Sequence, residues 1–175
     1  MLNDMLPSDA ERGRVIGPVL FLPIGADPSP GAEQERAFLC ADRAVRVFAP
    51  KALDAVGMTD EAQALRDLQP VTNKMSAAVA GRDASAAVDA VRALRAAGFG
   101  DAARAAGAAR DAADAAADAA ADSRVVVVAS AARAAARADA AADLMQLIID
   151  CCHVGQKNEA DPERVAETLE LIRHW

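Results

Sequence analysis

Residues Asp101–Asp122 read DAARAAGAARDAADAAADAAAD, close to a two-letter text of alanine and charge. Alanine has the highest helix propensity and loses no side-chain entropy on ordering. No proline interrupts the stretch. It therefore reads as helix despite its low complexity. Asp111, Asp114, Asp118 and Asp122 fall at spacings of three, four and four, an eleven-residue period near that of a straight α-helix. Charge occupies one narrow face, with Arg104 and Arg110 on the same side, and a broad face carries alanine alone. That face decides the fold class, because small side chains let helix axes approach closely. The expectation is an all-α, Ala-rich bundle of antiparallel helices.

Toward the C-terminus, Ser123 reads as a cap and Val125–Val128 as the buried first turn of another helix. β-Branched runs favour strands, but strong helix formers flank this one on both sides. A single helix from Asp101 to Cys152 would be roughly 75 Å long, too long for a compact domain, so a break near Asp122 is preferred. Leu144, Ile148 and Cys151 share one face of the later half, which ends before Gly155. A last helix opens on Asp161-Pro162-Glu163, an N-cap followed by proline at the first helical position. Val165, Leu169 and Ile172 line its inner face. Trp175 either docks on the bundle or stands out as an anchor for a partner.

Toward the N-terminus, a helix starts near Ser29-Pro30. Phe38, Ala41, Val45, Phe48, Ala52 and Val56 keep helical phase through Pro50, so Pro50 either kinks one helix or joins two nearly collinear ones. Gly57 ends this run, Thr59 caps the next, and Pro70 stops it. Ala62, Leu65 and Leu68 form the inner face of this second helix, and the pair reads as an αα-hairpin. A further helix starts near Asn73, weakens at Gly81, restarts at Asp83 with Ala87, Val91 and Leu94 inward, and closes at Gly98. Asp101 caps the Ala-rich stretch. Residues 1–31 form an irregular arm punctuated by Pro7, Pro18, Pro23, Pro28 and Pro30. Its apolar run, Val19 to Leu22, is read as packing on its own core or on a partner subunit. Residues 32–175 form the single helical domain.

The chain of 175 residues is 53% hydrophobic but only 3% aromatic, with no Tyr, and about a quarter of it is Ala. A buried Ala methyl contributes about 0.8 kcal/mol, against about 1.5–3 kcal/mol for Leu or Phe. The hydrophobic gain per residue is thus modest, and self-association is expected to complete it. A net charge of −7 disfavours nucleic acid and anionic membrane as partners. Met1–Pro7 lacks a basic region leading into an apolar run, no stretch offers enough strongly apolar residues to span a bilayer, and three cysteines make a poor disulfide framework. The expected location is the cytoplasm.

Cys151, Cys152 and His153 are the most concentrated chemical groups. Adjacent cysteines on a helix point about 100° apart, and zinc needs four converging ligands, so no metal, cofactor or catalytic residue is expected. The aspartate row reads as a solvated face, since carboxylates along one straight helix do not wrap an ion. If functional, it is a stripe for a basic partner. The candidate partner-binding residues are Phe21, Leu22, Asp111, Asp114, Asp118 and Trp175.

The stretch Cys40-Ala-Asp-Arg-Ala-Val-Arg-Val-Phe, the hairpin after it and the Ala/Asp/Arg repeats resemble Ala-rich helical proteins of bacteria and phages. Some of these are labelled immunity proteins of toxin systems. The similarity spans Glu35 to Asp150. This chain differs in lacking the His and aromatic residues that such proteins scatter through the Ala tract. The resemblance implies a non-enzymatic protein that binds and blocks another protein, and it assigns no residue a role. The alternatives are a structural homo-oligomer built on Ala faces and a small-molecule binder or enzyme using the Cys/His cluster.

Overall fold

A computed structural model describes residues 29–96, 102–121 and 124–155. Helix α1 spans Pro30–Arg43. Ser29 caps it from an extended backbone, its Oγ accepting from the Ala32 N–H at 3.3 Å, with Pro30 at the first turn. The chain then passes through a π-helical turn, Ala44–Phe48, and continues as α2, Ala49–Asp54. Pro50 explains that turn. It has no N–H to give Arg46, and its ring would meet the Arg46 carbonyl in a regular helix. Widening the preceding turn, with the Ala49 N–H reaching back to the Ala44 carbonyl, lets the helix run through the proline.

Gly57 ends α2 at φ +79°. Its N–H donates to Asp54 O and that of Met58 to Leu53 O, both at 3.0 Å, the paired bonds of a Schellman turn. Helix α3, Thr59–Arg66, follows at once. Thr59 is its first residue and not its cap. Met58 holds the cap position without a side-chain bond, because it leaves the Schellman turn with its carbonyl already aimed at the Ala62 N–H. Ala62 and Leu65 are buried and Leu68 is partly so.

Helix α4, Lys74–Ala96, runs unbroken through Gly81. Asn73 and Ser76 cap it reciprocally, Asn73 Oδ1 accepting from the Ser76 N–H at 2.9 Å and Ser76 Oγ from the Asn73 N–H at 3.1 Å. The expected weakening at Gly81 is therefore corrected. Gly81 is buried, and a Cβ there would lie 3.4 Å from Ala116 Cβ and 3.6 Å from Ala113 O and Ala117 N. Its glycine serves close helix approach, not chain breakage. Ala77, Ala80, Ala84, Ala87, Val88 and Val91 line the inner face; the Leu94 side chain lies outside those described.

Helix α5, Ala102–Ala120, comes from the alanine stretch. Asp101 and the expected break at Asp122-Ser123 lie outside the described residues, but α6, Arg124–Arg137, is a separate helix. Its valines are helical as expected. They are not a buried turn, since Val127 is buried while Val126 and Val128 are exposed. Successive helical residues diverge by about 100°, so three in a row cannot share a face.

A second break, unmarked by glycine or proline, follows at Ala138–Ala140. Asp139 takes φ +51°, and the Ala140 N–H donates to Ala135 O at 3.0 Å. This is a Schellman-type turn with aspartate in the left-handed position, which Asp tolerates better than most residues. Helix α7, Ala141–His153, carries Leu144 and Leu147 inward, with Ile148 and Cys151 partly buried.

The alanine helix α5 is the centre of the bundle, packed most extensively against α4 and α6 and also against the α1–α2 run. Arg104 meets Asp139, Gly107 meets Arg137 and Asp111 meets Arg133, so α5 and α6 are antiparallel. The buried face of α5 is Ala105, Ala108, Ala109, Ala112, Ala115, Ala116 and Ala119. Bulk comes mainly from elsewhere, chiefly Val45, Phe48 and Leu53 in the α1–α2 run, with Val91 and Val127 beside it. No strand is present among the described residues. Of the expected arm 1–31, residues 1–28 lie outside them, as does the expected last helix, while Pro30 and Gly31 belong to the first turn of α1.

Candidate functional site

The aspartate row divides. Asp114 is exposed and Asp118 half-buried, but Asp111 is only 5% exposed. The reading of a uniformly solvated stripe is therefore corrected at Asp111. Its carboxylate accepts from Arg137 Nη1 at 2.5 Å and Arg133 Nε at 3.4 Å, both reaching across from α6. Gly107 makes room for this. A Cβ there would stand 2.8 Å from Arg137 Cδ, and Arg137 Nη1 also donates to the Gly107 carbonyl at 2.9 Å. The sequence marks this position only by a glycine inside an alanine tract. Asp111→Ala should lower the unfolding free energy by about 1–2 kcal/mol in urea titration, because the carboxylate is buried but both arginines reach water, which screens the pairs. A change under about 0.3 kcal/mol would show the network to be ornamental. Burial, and then the Asp114 charge, raise the pKa of Asp118 against the opposing Arg133. Its folded-state value lies above the unfolded one, so its small contribution is present at low pH and lost as pH rises through its titration.

Phe21, Leu22 and Trp175 lie outside the described residues. The cysteine cluster is rearranged relative to its order in the sequence. Cys151 faces Cys40 of α1, with the two Sγ atoms 3.6 Å apart. Cys152 is half-buried and His153 exposed. Arg36 closes the end of α7 from α1, Nε donating to Cys151 O at 2.9 Å and Nη2 to Val154 O at 3.1 Å. Such capping of orphan carbonyls by an arginine also suits the helix dipole. Arg43 pairs with Asp150 at 3.0 Å and Lys51 with Asp143, holding α7 along the α1–α2 run. The hydrogen bond to Cys40 lowers the Cys151 pKa, helped by Arg36 and opposed by burial, Asp150 and Glu33. The same hydrogen bond, with burial and the Cys151 charge, pushes the Cys40 thiol up. Burial, then Cys151, raises Cys152. No sequence spacing joins residues 40 and 151; the sequence puts Cys151 on a face with Leu144 and Ile148 but gives Cys40 no such placement.

A third feature was missed entirely. Between α3 and α4 runs an apolar groove with two depressions, of about 280 and 500 Å³, that share Leu68. Leu65, Leu68 and Ala87 floor the first, between Glu61 and Asp83; Met75 and Val79 stand over the second, beside Asp67. Met75 is 79% and Val79 40% exposed. The sequence signal was available. These two large apolar residues, four apart, flank Ala77 at two residues on either side, and so lie about 160° around α4 from it.

A hollow of about 420 Å³ where α2, α5 and α6 meet holds Arg104 and Arg137, which are engaged by Asp139 and Asp111. Among the described residues no group of three or more His, Cys, Asp or Glu is placed to hold a metal ion, and no helix is long and apolar enough to cross a membrane. Set against known proteins, the chain matches no family model, no curated protein and no solved structure.

Proposed function

We propose that this chain is a non-enzymatic binding protein that sequesters or blocks a partner protein, in the manner of an immunity or antitoxin protein. The observation that carries the reading is the α3–α4 groove. Met75 and Val79 offer apolar surface to solvent while Glu61, Asp67 and Asp83 rim the depressions. Exposed apolar surface with a polar rim is the usual mark of a protein-binding site. The acidic rim and the net charge of −7 select the partner's chemistry, an amphipathic helix with lysine or arginine flanking its apolar stripe.

The test uses a synthetic helical peptide with leucine at i, i+3, i+4 spacing and lysine elsewhere, together with pull-down from the native host. Met75→Lys/Val79→Lys should weaken peptide binding at least tenfold and lose the captured protein, with helical circular dichroism unchanged. Equal capture by the variant moves the site off the groove. Failure to recover any partner protein with the wild-type chain defeats the binding reading itself.

Self-association is the second reading, favoured by Val126 and Val128, which are exposed near the start of α6. A clean monomer in light scattering at working concentration removes it.

A further inference from the structure

We propose that Cys40 and Cys151 form an oxidant-responsive dithiol, in which Cys151 reacts first and Cys40 closes a disulfide that fastens α7 to α1. The geometry supplies the reason. The two sulfurs stand 3.6 Å apart across the helix pair, and a disulfide needs about 2.05 Å. The remaining approach is within reach of side-chain rotation in the partly buried Cys151. Arg36, bonded to the carbonyls of Cys151 and Val154, fixes the end of α7 and brings positive charge to the thiol. Arg43–Asp150 joins the same two helices and Lys51–Asp143 ties α7 to α2 beyond them, so the sulfurs are held close.

Burial separates the roles. Cys151 is partly accessible, while Cys40 is 3% exposed. Their shared hydrogen bond, with Arg36 beside Cys151, shifts the Cys151 thiol down and the Cys40 thiol up, so Cys151 is the readier of the two to ionise. The thiolate is the nucleophile in such chemistry. The oxidant is a hydroperoxide. The Cys151 thiolate attacks its terminal oxygen, the O–O bond breaks, and the leaving oxygen takes a proton, giving Cys151 sulfenic acid and water or alcohol. The Cys40 sulfur then attacks the Cys151 sulfur, the S–O bond breaks, and hydroxide departs with the Cys40 proton as water. The peroxide is reduced by two electrons and the two thiols are oxidised to one disulfide. A thiol reductant restores them. Cys152, adjacent in sequence, has no thiol partner within bonding distance and remains reduced.

The bridge would close a loop between positions separated by 111 residues, and long loops are those whose closure most constrains the unfolded chain. The full-length reduced protein is treated with stoichiometric hydrogen peroxide, blocked with N-ethylmaleimide and digested for peptide mass mapping. The expected product is a Cys40–Cys151 cross-linked peptide lacking two hydrogens, with Cys152 alkylated and with a thermal midpoint raised by roughly 5 °C or more. Dithiothreitol reverses both. Cys152→Ser leaves the cross-link unchanged and Cys151→Ser abolishes it. Cys40→Ala, which keeps a small apolar group in the buried position, leaves a sulfenic acid on Cys151 that dimedone labels. The proposal is overturned if the native protein gives Cys151–Cys152 or intermolecular disulfides instead. It is equally overturned if Cys151 is oxidised no faster than Cys152, or if the cross-link forms as readily in denaturant. None of these readouts depends on the groove or its partner.

Discussion

Phe48→Ala should lower the unfolding free energy by about 3–5 kcal/mol. Phe48 is fully buried at the end of the π-helical turn, and its ring is among the few large groups in a core otherwise filled by methyls. Truncation removes the transfer free energy of the ring and leaves a cavity. The core has little with which to close on it, because most of the buried cluster is alanine, with no side-chain length to extend. A chain of this size is stable by about 0.05–0.15 kcal/mol per residue, so one ring carries a large share of the total. Urea titration followed by circular dichroism measures the effect, with Phe48→Leu as the mild control at about 1.5 kcal/mol or less. A Phe48→Ala cost below about 1 kcal/mol would mean that the α1–α2 run does not supply the bulk of the core.

Gly81 yields a paired result of opposite character. Gly81→Leu should cost about 3 kcal/mol or more, at the upper end for overpacking, because the opposing atoms include the backbone of α5 at Ala113 and Ala117. Backbone cannot rotate aside as a side chain would. Gly81→Ala should stay within about 1 kcal/mol of the parent, since the gain in helix propensity offsets a Cβ placed in firm contact with Ala116. Thermal melts of the two variants test this together. Similar midpoints would show that α4 and α5 do not lie as close as this arrangement requires.

The fold was legible where local chemistry is strong. Ser29-Pro30, Gly57 and the helical phase through Pro50 each state a terminus or a continuity, and alanine states helix outright. Gly81 was misread because a glycine in a helix has two meanings, a weak point or a contact point, and only the neighbouring helix distinguishes them. The turn at Asp139 left no mark because aspartate reaches the left-handed region without advertising it as glycine does. At the site level, Asp111 looks identical to Asp114 in sequence and differs only in having α6 beside it. The Cys40–Cys151 pairing is a tertiary fact joining distant positions. The Met75–Val79 stripe was readable in the spacing, but beside so many inward alanines two outward apolar residues carry little signal.

The alanine surface of α5 has a consequence for alignment. Sliding a neighbour along it by one helical turn mostly exchanges methyl for methyl, so adhesion there barely distinguishes one register from the next. Gly107 acts as a notch, Asp111 as a peg and Gly81 as a gauge of clearance. Most of the information that sets which turn of the bundle centre meets which is therefore stored in a handful of non-alanine sites, and the alanines between them supply contact without choosing a position.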